Sequence, residues 1–218
     1  MSQTNNHENR DVARQRSHIY GLLATFYRQE VTSDFLKQIK APQFLGVFSD
    51  LGLELGKDLL EKSEESVLEE MSVEYARLLL GPGRHISPHE SVHLPEKEGG
   101  TGQLWGKPAV KVKKFIEASG LEYKSEYSGL PDHISVELEF MQHLTLREAQ
   151  AWEEDGSEGS EFYLNIEKTF MEEHLTRWIP IFCEKVMEET EMPFYKGMAA
   201  LTKKFIEFEQ EEMVDKSG

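Results

Sequence analysis

The chain has 218 residues, 39% of them hydrophobic and 10% aromatic, enough to bury a substantial core in one large or two small domains. Its 40 acidic against 24 basic side chains give a formal net charge of -16, which repels nucleic-acid phosphates and anionic membranes and draws in basic peptides, an attraction screened beyond roughly 8 Å at physiological salt. A lone cysteine, Cys183, excludes an intrachain disulfide, the opening MSQTNNHENRDVARQRS lacks an apolar signal core, and no stretch reaches the ~18 apolar residues of a membrane span, so a cytoplasmic protein with neither nucleic acid nor stable membrane insertion is expected.

Helical periodicity dominates and strand signals are nearly absent. Val12, Ile19, Leu22, Leu23, Phe26 and Tyr27 recur at three- and four-residue steps, predicting an amphipathic helix over residues 10–29. Ser and Pro start signals predict short helices over 33–40 and 42–50. A longer helix is expected over 63–80: Ser63 offers an N-cap, acids fill the first turn, and Val67, Leu68, Met71, Tyr75, Leu78 and Leu79 supply the apolar face. Gly81 and Pro82 stop it.

An irregular run then extends to Gly106, carrying His85, His89 and His93 with Pro88 and Pro95, among the apolar Ile86, Val92, Leu94, Leu104 and Trp105. Loops this long inside compact domains tend to be functional or disordered, and the apolar content predicts order. Pro108 opens a helix carried to Gly120 by Val110, Val112, Phe115 and Ile116. After a polar connector over 122–129, Asp132 is the expected N-cap of a helix running through Ile134, Leu138, Met141 and Leu144 to about residue 152. Residues 153–161, EEDGSEGSE, read as a solvated loop. One long helix from Phe162 to Val186, kinked at Pro180, and another from Pro193 through Phe208 complete the chain. The fold expected is all-α, an irregular bundle of roughly eight to ten helices with a long Gly/Pro-rich loop. It is expected as a single domain over 1–218 with a hinge near 121–130.

Catalytic readings fail on spacing. His85, His89 and His93 would line one helical stripe as metal ligands, but Pro88 interrupts the helix that would align them. A di-iron bundle needs two Glu-x-x-His motifs on separate helices, and the one present, Glu90 to His93, lies in the proline-rich run. Asp132, His133, Glu137, Glu139 and His143 could serve acid-base work, yet a capped helix start accounts for most of them. In GGTGQLWGKP, Thr101 stands where a phosphate loop requires Gly, and Pro108 replaces its Ser or Thr. Cys183 has neither a helix-start context nor a nearby His to make it a nucleophile.

Two segments, EYARLLLGPGRHISPHESVHL and PDHISVELEFMQHL, resemble in type and order the signatures of the TorD/DmsD/NarJ family. YGLLATFYR, HLTRWIPIFCEKV and FYKGMAALTKKFI resemble its flanking helices, so the likeness spans about residues 12–208. The resemblance implies an all-helical cytoplasmic chaperone of anaerobic respiration. It would bind the twin-arginine signal peptide and apo form of a molybdenum-cofactor oxidoreductase, assist cofactor insertion and proofread before export. It implies no enzyme activity and no cofactor of the chain's own, the molybdenum cofactor being the client's, with weak guanine-nucleotide binding as an open addition. The oligomeric expectation is a monomer or a homodimer formed by helix exchange.

Carried over position by position, the signal-peptide site comprises Tyr75, Leu79, Gly81, Pro82, Pro88, His89, Glu90, Ser91, Val92, His93, Leu94, Asp132, His133 and Glu137. Asp132 and Glu90 would attract leader arginines, and Leu79, Val92 and Leu94 would meet its apolar stretch. His133 would orient a carboxylate or bond a peptide carbonyl. Where the family pattern has an aromatic and a Tyr, this chain has His89 and His93, which with an ordinary pKa of about 6.5 would make affinity pH-sensitive over about pH 5 to 8. A nucleotide-binding or hydrolysing regulator, and a structural assembly subunit, are the rival readings.

Overall fold

A computed structural model describes residues 3–80, 85–95, 104, 106–120, 128–154 and 157–215. Its helices are α1 (Gln3–Arg28), α2 (Ser33–Ile39), α3 (Pro42–Asp50), α4 (Asp58–Glu61), α5 (Glu64–Tyr75), α6 (Glu90–His93), α7 (Lys107–Ala118), α8 (Ile134–Glu154), α9 (Ser157–Phe170), α10 (Thr176–Glu189) and α11 (Pro193–Asp215). Wide π turns at Ala76–Leu80 and Met171–Leu175 extend α5 and join α9 to α10. No strand occurs among the described residues, and the fold is all-α. The expected hinge falls largely on residues 121–127, outside the described residues.

Local chemistry explains most boundaries. Thr32 and Ser63 cap α2 and α5 by accepting hydrogen bonds from the Phe35 and Ser66 amides. Pro occupies the first turn of α3 and α7, where its missing N–H is not needed. α7 ends at Gly120, whose φ of 72° is the left-handed conformation that terminates helices.

α8 is the central helix. Ile134, Val136, Leu138, Phe140, Met141 and Leu144 on different faces are all buried, as expected for a helix enclosed by others. It runs antiparallel to α1: Arg14 pairs with Glu153, Arg16 with Glu148, and Ser17 donates to the Gln142 carbonyl. α10 packs on α11, and one apolar core runs from Tyr20 in α1 to Ile206 in α11. Gly197 lets α11 approach the chain before α4, because a Cβ there would lie 2.8 Å from the Glu54 carbonyl oxygen.

Three expectations are corrected and one helix is added. α1 starts at Gln3 instead of near residue 10, because its first turns are polar and carry no apolar period. α4 was unmarked in sequence, being one turn held by a single buried residue, Leu59. Most of 153–161 is helical, since α8 continues to Glu154 and α9 begins at Ser157, where Ser160 Oγ donates to the Ser157 carbonyl. The expected 162–186 helix is interrupted at Met171–Leu175, where Thr176 Oγ1 donates to the Met171 carbonyl. Pro180 lies within α10.

Candidate functional site

The two signature segments form one unit. Beyond α5 the Ile86 amide donates to the Leu78 carbonyl at 2.7 Å, turning the chain back along the helix end. Gly81 and Pro82 lie outside the described residues. His89 and His133 then form an isolated antiparallel bridge, with Glu90 N–H donating to the Asp132 carbonyl at 3.0 Å and Ile134 N–H to the Pro88 carbonyl at 2.9 Å. Within the expected loop, Glu90–His93 folds as the single-turn helix α6.

Asp132 is fully buried, and its Oδ2 accepts the Ser91 amide at 3.0 Å. It therefore caps α6, 41 residues upstream, and not α8 as expected. His133 takes the α8 cap instead: its Nδ1 accepts the Ser135 amide at 3.1 Å. That acceptor role leaves the ring hydrogen on Nε2, and burial holds the imidazole neutral by pushing its pKa down to about 3.

Beneath this pairing lies a buried polar cluster. Glu90 Oε2 is 3.0 Å from His174 Nδ1, and Trp178 Nε1 donates to Glu137 Oε2 at 2.9 Å. Burial raises the Glu137 carboxyl well above its usual range, and the charges of Glu90 and Asp132 add to the effect, so this side chain holds its proton. Ser91 Oγ, Asp132 Oδ1 and Glu137 Oε1 are buried without a hydrogen-bond partner among the described residues. The cluster thus retains unused hydrogen-bonding capacity, which is uncommon in a protein interior.

His89 and His93 sit half-buried above it. His93 stacks on Trp178 with centroids 5.5 Å apart and meets Phe182 edge-on. Its Nε2 lies 2.7 Å from the Ser87 carbonyl and its Nδ1 3.2 Å from Lys185 Nζ, contacts that suit a neutral ring with hydrogen on Nε2. Burial first, and then the Lys185 charge, push its pKa down to about 4 despite the Ser87 bond. His89 bonds Ser87 Oγ at 3.0 Å and meets the His133 ring edge-on; burial lowers its pKa too, against the pull of Asp132. For His93 this corrects the expected sensitivity over about pH 5 to 8, because the ring titrates below that window. His85 is exposed, and no three His, Cys, Asp or Glu among the described residues converge as metal ligands.

The remaining site expectations divide by burial. Tyr75, Leu79 and Leu94 are core residues, and the Tyr75 hydroxyl donates to the Tyr27 carbonyl at 3.1 Å. Pro88, Ser91, Glu90 and Asp132 are buried, whereas Val92 is half-exposed. Glu90 and Asp132 are therefore closed to a leader arginine in this conformation. Sequence reasoning missed His174 and Trp178; the signal was a His and a Trp four apart, aligned with an apolar helix face.

Carboxylates beside an apolar floor do occur on the described surface. A pocket of about 390 Å³ along α5 is floored by Leu59, Met71, Met192 and Phe194 and rimmed by Lys57 and by Asp58, Glu70, Glu74 and Glu191, of which Asp58 and Glu70 already pair with Lys62 at 2.9 and 2.8 Å. Arg77 and Thr190 hold Glu74 in place through bonds of 2.7 and 2.6 Å.

The chain is similar along most of its length to chaperone proteins TorD: 26% identical to that of Shewanella pealeana, covering 90% of this chain and 88% of the relative. The Aliivibrio fischeri TorD is 27% identical, with 89% and 93% covered. The fold is similar to the crystal structure of a putative redox enzyme maturation protein from Archaeoglobus fulgidus, with a TM-score of 0.51, 22% identity, and 88% and 93% of the two chains covered. The family described as nitrate reductase delta subunit matches residues 49–184, a span that contains both signature segments and the Glu90, His174, Glu137 and Trp178 cluster, and the chain belongs to that family.

Proposed function

We propose that this protein is a cytoplasmic maturation chaperone for a molybdenum-cofactor oxidoreductase. It acts by binding, not by catalysis, and holds the apoenzyme through its twin-arginine leader until the cofactor is inserted. The observation that carries the reading is the joining of the two signature segments at His89 and His133, over a buried polar cluster with unused hydrogen-bonding groups. Similarity to TorD chaperones over about nine-tenths of the chain supports it.

Physical chemistry supports the same partner. A leader offers a basic region followed by an apolar helix-forming stretch, and a receptor needs acidic groups beside an apolar groove. The net charge of -16 accelerates encounter with the basic region. The pocket on α5, with four carboxylates against Lys57, takes that region by exchanging the Lys62 and Arg77 pairs of its carboxylates for leader guanidinium groups, and the half-exposed Val92 with the His89 and His93 rings receives the apolar stretch. Direct contact of leader guanidinium groups with Asp132 or Glu90 requires opening of the two backbone hydrogen bonds that close the segments.

A pull-down with the full chain from anaerobically grown cells of its source, read by mass spectrometry, tests this. The expected catch is the precursor of a molybdenum-cofactor enzyme with its leader still attached. Recovery of proteins lacking both the cofactor and a twin-arginine leader would sink the reading.

A further inference from the structure

A second, larger groove opens between α1, α3 and α11. It measures about 840 Å³, and its walls leave large apolar side chains in solvent: Ile19 is 37%, Leu51 41%, Val47 45% and Phe208 55% exposed. Single exposed apolar residues are ordinary, but several lining one concavity mark an interaction surface. None of the described residues lining this groove is a carboxylate, in a chain that carries 40 of them; its charged or titratable rim is Lys204 and His18.

We propose that this groove docks an amphipathic helix, supplied by another polypeptide, whose apolar face is flanked by carboxylates. Three helical walls present ridges between which a fourth helix packs. Local charge selects the occupant: the protein as a whole favours a basic partner, whereas here an acidic flank meets Lys204 and no opposing carboxylate among the lining residues. A basic leader gains nothing at this rim. A second copy is disfavoured because each protomer brings a net charge of -16 to the contact.

The test uses two synthetic peptides of roughly five helical turns with the same leucine face, flanked by Glu in one and by Lys in the other, titrated into the full chain by fluorescence anisotropy. The Glu-flanked peptide is expected to bind about tenfold more tightly or better, against the net charge of the protein. Val47→Glu and Phe208→Glu each remove that binding, and Lys204→Glu inverts the preference; all three sites are on the surface, so circular dichroism should report an unchanged fold. Tighter binding of the Lys-flanked peptide, or affinity indifferent to the three substitutions, overturns the proposal. So does displacement of the peptide by decanoate at comparable concentration, which would make the groove a small-amphiphile site. A dimer in sedimentation that Phe208→Glu dissociates would assign the groove to self-association and overturn it equally.

Discussion

The carboxylate of Asp132 closes the turn that begins at Ser91: Oδ2 lies 3.0 Å from the Ser91 amide, in the interior, between segments 41 residues apart. A charge-assisted bond of this kind is roughly twice as strong as a neutral one, and removing it strands a buried amide at a cost of about 1–3 kcal/mol. Asp132→Ala is therefore expected to lower stability by that amount and to loosen the His89 and His133 pairing. Asp132→Asn keeps an acceptor and should lose less. Urea unfolding gives the stabilities, and amide exchange at Ser91 and Ile134 reads the local opening.

Glu137 holds its proton in the folded chain and releases it in the unfolded one above the ordinary carboxyl range. Because its folded pKa is raised, its contribution to stability is complete below the unfolded value of about 4.5 and declines as pH rises toward the folded value. Glu137→Gln keeps an acceptor for Trp178 and removes the titration. The variant should gain on the parent between pH 5 and 8, by at most about 1.4 kcal/mol per pH unit. Paired urea titrations at the two pH values check this; a gap that stays constant would place the proton elsewhere.

His93 runs the other way. With a folded pKa of about 4 against an unfolded value of about 6.5, the unfolded chain takes up a proton that the folded chain refuses between those limits. Its contribution is complete above about pH 6.5 and is lost as pH falls through the window. His93→Phe keeps the ring against Trp178 and should gain on the parent as the pH is lowered from 7.5 to 5. Single-site comparison is needed because Glu137 and Glu167 titrate with the opposite sign over part of the same range. Titration of His93 should leave leader affinity little changed between pH 8 and 5.5, where the ring is already neutral.

Arg16 joins α1 to α8, α9 and α11 through Glu148, Glu167 and Glu209 at 2.8, 2.6 and 2.8 Å. One guanidinium cannot neutralise three buried carboxylates, so burial together with the charges of Glu148 and Glu209 raises Glu167 to about 8, against the pull of Arg16. Arg16→Met removes the cation that the three share and should destabilise the fold by about 3–5 kcal/mol. Adding Glu167→Gln is expected to restore part of the loss, as measured by urea midpoints at pH 7.

Much of this architecture is legible in sequence because it is local. The Ser63 cap, the apolar stripe from Val67 to Leu79 and the first-turn prolines of α3 and α7 each act within a few residues of themselves. The features that were not legible depend on distant partners. Asp132 has the chemistry of an α8 cap, yet its side chain is taken by Ser91, and only the folded chain brings them together. Likewise Glu148, Glu167 and Glu209 look solvated by composition, although each interrupts an apolar stripe: Leu144 and Trp152 flank Glu148, Tyr163 and Phe170 flank Glu167, and Phe205 precedes Glu209. A carboxylate on a buried stripe was the available signal, and its cation lay in α1. The signature residues were singled out in sequence without regard to burial, because sequence spacing does not distinguish a side chain that holds a segment together from one that faces a ligand.

Recognition of a twin-arginine leader is the central claim, and calorimetric titration of the full chain with the leader peptide of the enzyme recovered by pull-down tests it most directly. Saturable binding is expected, weakening about tenfold or more when both arginines are replaced by glutamine. Equal affinity for the two peptides, or no binding of the leader while the mature enzyme still binds, would contradict it.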